Sequence, residues 1–295
     1  MPFPHLLLAF LVVIIWGINF IFVKFALLEI SPLLLCALRF ILASIPAIFF
    51  IKPPAIPFKL IAMYGLIMFA LQFSFVFIGM HAGMTPGMAS LIMQTQVFFS
   101  MFFAAFFLGE KTNLWQVIGA IVSFIGIGLV AFHFDASISL LGFVCILGAA
   151  ASWGLGNLIT KKTRQISMIA LVVWGSFIAS LPMIFLALLF EGTESIRSNI
   201  QQLSWLGLSS VLYIVYISTW IGYGVWNWLL SRHSVGTVVP FTLLVPVVGI
   251  LSSVIILGEP FQLWKLGACL LVISGLFINL FGGRLGITKV AQKLS

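Results

Sequence analysis

The sequence predicts an all-α integral membrane protein with ten spanning helices, built from two inverted five-helix repeats. Three observations carry that expectation. First, apolar residues make up 62% of the 295-residue chain and charged residues only 7%. Soluble domains run nearer 45–50% apolar and about 25% charged, so these few charges cannot clothe a water-facing surface. Second, the apolar runs are continuous and about 20 residues long, the length a bilayer-crossing helix needs. Barrel strands would alternate over about ten residues. Third, the chain resembles itself at a fixed offset. Gly109-Glu110 recurs 149 positions later as Gly258-Glu259, and the same step carries Gly87 to Gly236, Trp115 to Trp264 and Gly126 to Gly275. Self-similarity of this kind sets an architecture before any local reading does.

Breaks at charged or Pro/Gly-rich stretches divide the chain into spans. The first covers 6–28, contains Trp16-Gly-Ile-Asn19 and stops before Glu29. It is too long for a signal-peptide core and lacks a small-residue cleavage pattern, so it is read as a span. The second, 33–51, follows Ser31-Pro32 and ends at Lys52-Pro-Pro54. The third, 60–81, ends at His81-Ala-Gly83, and the fourth, 86–108, runs from Pro86 to Gly109-Glu110. The fifth, 114–132, closes the first half, taken as residues 1–135. The second half, 136–295, repeats the plan with spans at 139–160, 168–190, 203–229, 236–257 and 263–281 and a short tail. The longest connection, the Glu191–Gln202 loop, is too short to fold alone, and no soluble domain is expected.

The two halves enter the bilayer in opposite senses. Trp16-Gly17 with Asn19 and Lys24 opens span one, and Trp153-Gly154 with Asn157 and Lys161 opens span six. Five spans lie between these openings. Inverted repeats are a recurring plan of secondary transporters, whose substrate sites sit near the midplane between the halves. A cytoplasmic N-terminus puts ten of the fourteen basic residues on the inside, among them Lys52, Lys111, Arg164, Arg232 and Arg284, and only Arg197 and Lys265 outside. This is the usual bias of membrane topology, so both termini are expected in the cytoplasm. The same scatter of basic residues over loops argues against a nucleic-acid partner, despite the net charge of +8.

Catalysis finds no support. The six carboxylates and four histidines fall near span ends or in loops, without a hydrolase or zincin spacing. Cys36, Cys145 and Cys269 lie far apart in apolar runs with no metal spacing and read as small buried residues. No enzyme activity and no cofactor are expected.

Polar residues at membrane depth remain. Asn19, Gln72, Gln94, Gln96, Asn157 and Asn227 sit in apolar surroundings, where each needs a partner or a water-filled cavity. Trp16 and Asn19 are three apart and share a helix face. Gln94 and Gln96 cannot share one, because two helical steps turn about 200°. Ser90 and Gln94 fall on the face of Gly87, while Gln96 falls with Met93 and Ser100. One glutamine lines a cavity and the other ties helices, and the spacing does not choose between them. Lys24 and Arg39 lie inside spans near their outer ends. Either they snorkel to the interface, or they form a cationic vestibule suited to a carboxylate, with Glu29 as a candidate pair. Tyr223 lies in Gly222-Tyr-Gly-Val-Trp226-Asn227, a pattern for close packing or a bend at a cavity. Pro182, Pro240 and Pro246 are expected to bend their helices.

On these residues the chain resembles the EamA family of the drug/metabolite transporter superfamily, over roughly residues 6 to 283. Family-wide features are Trp-Gly-x-Asn in span one, Ser31-Pro32 with Arg39-Phe40, and Gly-Glu closing spans four and nine. Gln94-Thr-Gln96 and Leu243-Leu-Val-Pro-Val-Val-Gly249 are similar to the subgroup of O-acetylserine/cysteine exporters. The resemblance implies an inner-membrane exporter of small amino-acid-like metabolites working by alternating access. Its expected site is Trp16, Asn19, Ser90, Gln94 or Gln96, Trp153, Asn157 and Tyr223, with Arg39 and Lys24 attracting a carboxylate. The expected partners are that small metabolite and the lipid bilayer. Protons are one candidate coupling ion, and facilitated export is the other. A broader exporter of amphipathic compounds and a passive channel stay open as alternatives.

Overall fold

A computed structural model describes the chain apart from residues 1, 110–112, 132–138, 162–166, 234–238, 260–261 and 294–295. Glu110, Lys111, His133, Asp135, Lys162, Arg164, Gly236 and Ser295 therefore lie outside the described residues. Within them every regular element is helical.

In chain order, α1 is Phe3–Ala26, α2 is Pro32–Ile48 and α3 runs from Phe58 to His81. The fourth helix, α4, is Pro86–Ile92, a 3-10 turn at Met93–Thr95, and Gln96–Leu108. Then come α5 (Leu114–Ala131), α6 (Leu140–Lys161) and α7 (Met168–Phe190). A short α8 (Thr193–Gln201) follows, within a stretch expected to be only a loop. It is polar and has no buried residues, so hydropathy carries no trace of it. The ninth helix, α9, runs from Trp205 to Arg232. The tenth, α10, opens as a 3-10 turn at Val239–Leu244 and continues as Val245–Leu257. The last, α11, is Leu263–Lys293 and extends well beyond the expected end at 281.

Six of these described helices are long and apolar enough to cross a membrane: Phe3–Ala26, Phe58–His81, Pro86–Phe107, Leu140–Ile159, Met168–Phe190 and Trp205–Trp226. Pro32–Ile48, Leu114–Val130, Val245–Leu257 and Leu263–Asn279 are shorter apolar helices. The protein is thus a multi-pass membrane protein.

Local chemistry explains several irregularities. In α4 the hydroxyls of Ser90 and Thr95 donate back to the carbonyls of Gly87 and Ile92, each at 2.7 Å. Such back-bonds compete with the helical ladder, and the tightened turn at Met93–Thr95 sits between them. In α10 the 3-10 turn contains Pro240 and stops two residues before Pro246, because proline removes a ladder donor. Pro182, by contrast, lies inside an uninterrupted α7. Both α4 and α10 end at a left-handed glycine, Gly109 and Gly258, each with φ of 64°. That conformation favours glycine and accounts for the glycine of both Gly-Glu pairs.

Two π segments interrupt the third and ninth helices, Tyr64–Leu71 in α3 and Tyr213–Gly222 in α9. They begin 149 residues apart, at the offset found in the sequence. Nothing in the apolar pattern of either run distinguishes an i→i+5 ladder from an α-helix.

The packing joins distant parts of the chain. The first helix lies against α10, and α6 lies against α4. The pair α3 and α6 is matched by α9 and α1, while α2 packs on α7 and α5 on α11. One apolar core runs through these contacts, with Phe40, Phe69, Phe77, Met88 and Ile146 among its buried members.

Candidate functional site

Where α1, α2, α3 and α9 meet, the π segment of α9 supplies the polar groups. The indole N–H of Trp16 donates to the carbonyl of Ser218 at 3.2 Å, and the Trp16 ring lies 5.4 Å from those of Tyr223 and Trp226. The indole nitrogen would lie 2.5 Å from a Cβ added at Gly222, so this glycine makes room for it. The hydroxyl of Tyr213 donates to the carbonyl of Ile15 at 2.9 Å, and its ring stacks on Phe22 at 3.8 Å. The indole of Trp220 donates to the carbonyl of Ala43 at 3.0 Å.

Arg39 projects from α2 into this junction and is only 2% exposed. Its Nη2 donates to the Thr219 hydroxyl at 3.0 Å, and that hydroxyl donates to the carbonyl of Ile214 at 2.9 Å. The guanidinium carbon lies 3.8 Å from the centre of the Phe73 ring, a cation–π contact that covers one face of the group. Its Nε and Nη1 have no hydrogen-bond partner among the described residues. Glu29 and Glu191 are engaged elsewhere. Glu29 accepts from the Ser204 amide at 2.8 Å and hydroxyl at 2.6 Å, not from Lys24 or Arg39. Glu191, at the end of α7, accepts from the Ser31 hydroxyl and from the amides of Leu33 and Leu34 at 2.6, 2.8 and 3.0 Å. It thereby caps α2 where negative charge is favoured.

The other expected residues separate into distinct settings. Asn157 on α6 donates through Nδ2 to Gln96 Oε1 at 3.1 Å and to Ser100 Oγ at 2.9 Å. Gln96 and Ser100 do share a face, as their spacing predicts, and Gln96 is the glutamine that ties α4 to α6. Gln94 is buried within the 3-10 turn of α4. Asn19 is half-buried, and its Oδ1 is shielded from solvent without a donor among the described residues. Ser90 belongs to a tight crossing of α1, α4 and α10: a Cβ at Gly17 would lie 2.6 Å from Val248, and one at Gly249 would lie 2.8 Å from the Cβ of Ser90. Trp153 is half-buried against the apolar core. Lys24 is half-buried towards the end of α1, within electrostatic reach of Glu259. Burial pushes the Glu259 carboxyl above its ordinary range, while Lys265 and Lys24 act in the opposite direction.

The structure thus brings Trp16, Arg39 and Tyr223 into one junction, and leaves Asn157 with Gln96, Ser90 with Gly249, and Lys24 with Glu259 outside it. Sequence reasoning missed Thr219 and Glu191. Thr219 lies four residues before Tyr223, on the same helical side, and that spacing was the available signal. Glu191 gave none, since its partners are 157 to 160 residues away.

A model of the EamA-like transporter family matches this chain twice, over residues 4–132 and 140–281. The chain belongs to the EamA-like transporter family. Among its relatives is a probable amino-acid metabolite efflux pump of Salmonella typhimurium, 40% identical over 284 residues, or 94% of this chain and 95% of the relative. The Escherichia coli protein of the same name is 36% identical over the same shares. An uncharacterized transporter of Bacillus subtilis, YvbV, is 30% identical over 92% of this chain and 89% of its own. A solved crystal structure with 17% identity shares the fold, with a TM-score of 0.65 over 96% of this chain and 98% of its own. As an EamA-family member the chain is a transporter by family.

Proposed function

We propose that this protein is a secondary exporter of small amino-acid-like metabolites, such as O-acetylserine or cysteine, across the inner membrane. Its ten spans form two inverted halves, residues 1–135 and 136–295, with both termini in the cytoplasm. The observation that carries this reading is the invariance of the packing when the halves are exchanged. The substitution α1↔α6, α2↔α7, α3↔α9, α4↔α10 and α5↔α11 turns each principal helix pairing into another observed one or into itself. The π segments, the 3-10 turns and the left-handed glycines follow the same exchange. The names of the relatives at 40% and 36% identity support the amino-acid metabolite as cargo.

In this reading the halves rock about the shared pairs α2–α7 and α5–α11, and the cargo sits between them. Trp16 and Tyr223 wall the site, Arg39 binds the carboxylate, and Lys24, outside that junction, draws it in. The amides of Asn19 and Gln94, with Ser90, hold the polar end. In the other half Trp153 takes the place that corresponds to Trp16, and Asn157 ties α6 to Gln96 and Ser100 of α4. Among these the free acceptor of Asn19 is suited to an ammonium group. The deciding experiment is uptake into proteoliposomes of purified protein, with a panel of amino acids and a proton gradient switched on or off. Saturable uptake of small amino acids is expected. Non-saturating flux would identify a channel, and preference for large amphipathic compounds would identify the broader exporter.

A further inference from the structure

Arg39 carries the observations furthest. An arginine in a bilayer-spanning region is costly unless its charge is met, yet its hydrogen-bond partner here is a neutral hydroxyl. One face of the guanidinium is covered by Phe73, while Nε and Nη1 are buried without a hydrogen-bond partner among the described residues. Glu29 and Glu191 are bonded elsewhere. A planar fork of donors with one face packed on a ring is shaped for a carboxylate approaching edge-on. Both two-point edges of a guanidinium include Nη2, the nitrogen Thr219 already engages. A carboxylate bound at two points therefore meets Thr219 at a shared nitrogen. Thr219 in turn bonds the Ile214 carbonyl inside the π segment of α9.

We infer that Arg39 is the carboxylate-selecting residue of the transport site, and that its shared bond to Thr219 transmits carboxylate occupancy to the π segment of α9. The inference deepens the exporter reading and rests on it. A carboxylate bound at the edge whose Nη2 proton Thr219 holds draws that proton from Thr219 and loosens the hold of α2 on α9. Trp16 and Tyr223 flank the same stretch, so the change reaches the wall of the site. Cargo lacking a carboxylate leaves the Arg39–Thr219 bond intact and the helix pair locked.

The test uses the full chain in detergent and in proteoliposomes, with L-cysteine, O-acetyl-L-serine, L-cysteine methyl ester and cysteamine as probes. Intrinsic tryptophan melting curves report binding, and uptake reports transport. In the wild type the two acids should raise the melting temperature and be transported, and the ester and the amine should do neither. Arg39→Gln should weaken acid affinity about tenfold to a hundredfold, the range for a hydrogen bond to a charged group, and abolish the preference for acid over ester. Thr219→Val should tighten acid binding severalfold, since Nη2 is then unshared, while slowing uptake. Equal responses of the wild type to acid and ester overturn the inference even if Arg39→Gln fails to fold. An acid preference retained in Arg39→Gln, or an unaltered acid response in Thr219→Val, also overturns it and leaves the exporter reading standing. A wild type that binds and moves none of the probes overturns the exporter reading and this inference with it.

Discussion

Replacing each of the two repeated asparagines by leucine should have opposite effects. Leucine is close to asparagine in size, so the substitution removes the amide and little else. Asn157 makes two side-chain bonds that join α6 to α4, at 3.1 and 2.9 Å. Within membranes such interhelical bonds average about 0.6 kcal/mol and reach about 1.7. Losing both, with the Gln96 oxygen left without its donor, should cost roughly 1–2 kcal/mol. For a chain of this size that corresponds to a fall of about 2–4 °C in melting temperature. Asn19 differs because its Oδ1 already lacks a donor among the described residues. Leucine there removes a buried, unsatisfied acceptor, whose cost is about 1–3 kcal/mol. Its melting temperature should hold or rise. Substrate affinity should instead fall about threefold to tenfold, since one bond to cargo is worth about 0.5–1.5 kcal/mol. The assay is a melting curve beside a substrate titration for Asn19→Leu and Asn157→Leu in detergent. Equal losses of melting temperature in both variants would refute the reasoning. So would an Asn157→Leu protein of wild-type stability with impaired affinity.

Further outcomes can be checked on the same material. Gly222→Ala places a methyl group against the Trp16 indole nitrogen and should slow uptake, with a melting loss of a few degrees; unchanged uptake would remove the Trp16–Ser218 contact from the working site. Glu191→Ala strips three bonds from the start of α2 and should cost about 1–2 kcal/mol by cap loss, read as a lower melting temperature. The folded state raises the Glu259 carboxyl, chiefly by burial, so the stability this group contributes is full at low pH and lost as pH rises through its raised value. Glu259→Gln should therefore gain melting temperature over wild type at pH 7, and the gain should shrink towards pH 4; a constant difference would contradict the shift. A reporter fused after residue 295 should be cytoplasmic and one inserted between residues 191 and 202 external, and reversed labelling would overturn the orientation.

The sequence was legible where its signal was additive. Apolar runs located the helices, and the 149-residue offset of Gly109 and Gly258 fell on two identical left-handed caps. Arg39 stood out because a cation inside an apolar run has few innocent explanations. Its actual neighbour Thr219 is 180 residues away on another helix, and periodicity along one helix says nothing about a second. The tie between Gln96 and Asn157 joins two helices 61 residues apart in the chain, which spacing along one helix does not reveal. The short helix Thr193–Gln201 was invisible for the opposite reason: it is polar with nothing buried, so neither hydropathy nor a core-facing stripe marks it.

The π segment Tyr213–Gly222 also makes the length of α9 consequential. A π turn accommodates one more residue than the α-turn it replaces, as though a single residue had been inserted into an ordinary helix. Deleting one residue there would let the ladder revert to α and close the widened turns of this segment. An ordinary helical partner would then compete with the Trp16 indole for the Ser218 carbonyl. A substitution along this stretch changes one contact, whereas a one-codon deletion changes the ladder itself. Chains of this design should therefore hold the count between Ser204 and Tyr223 fixed.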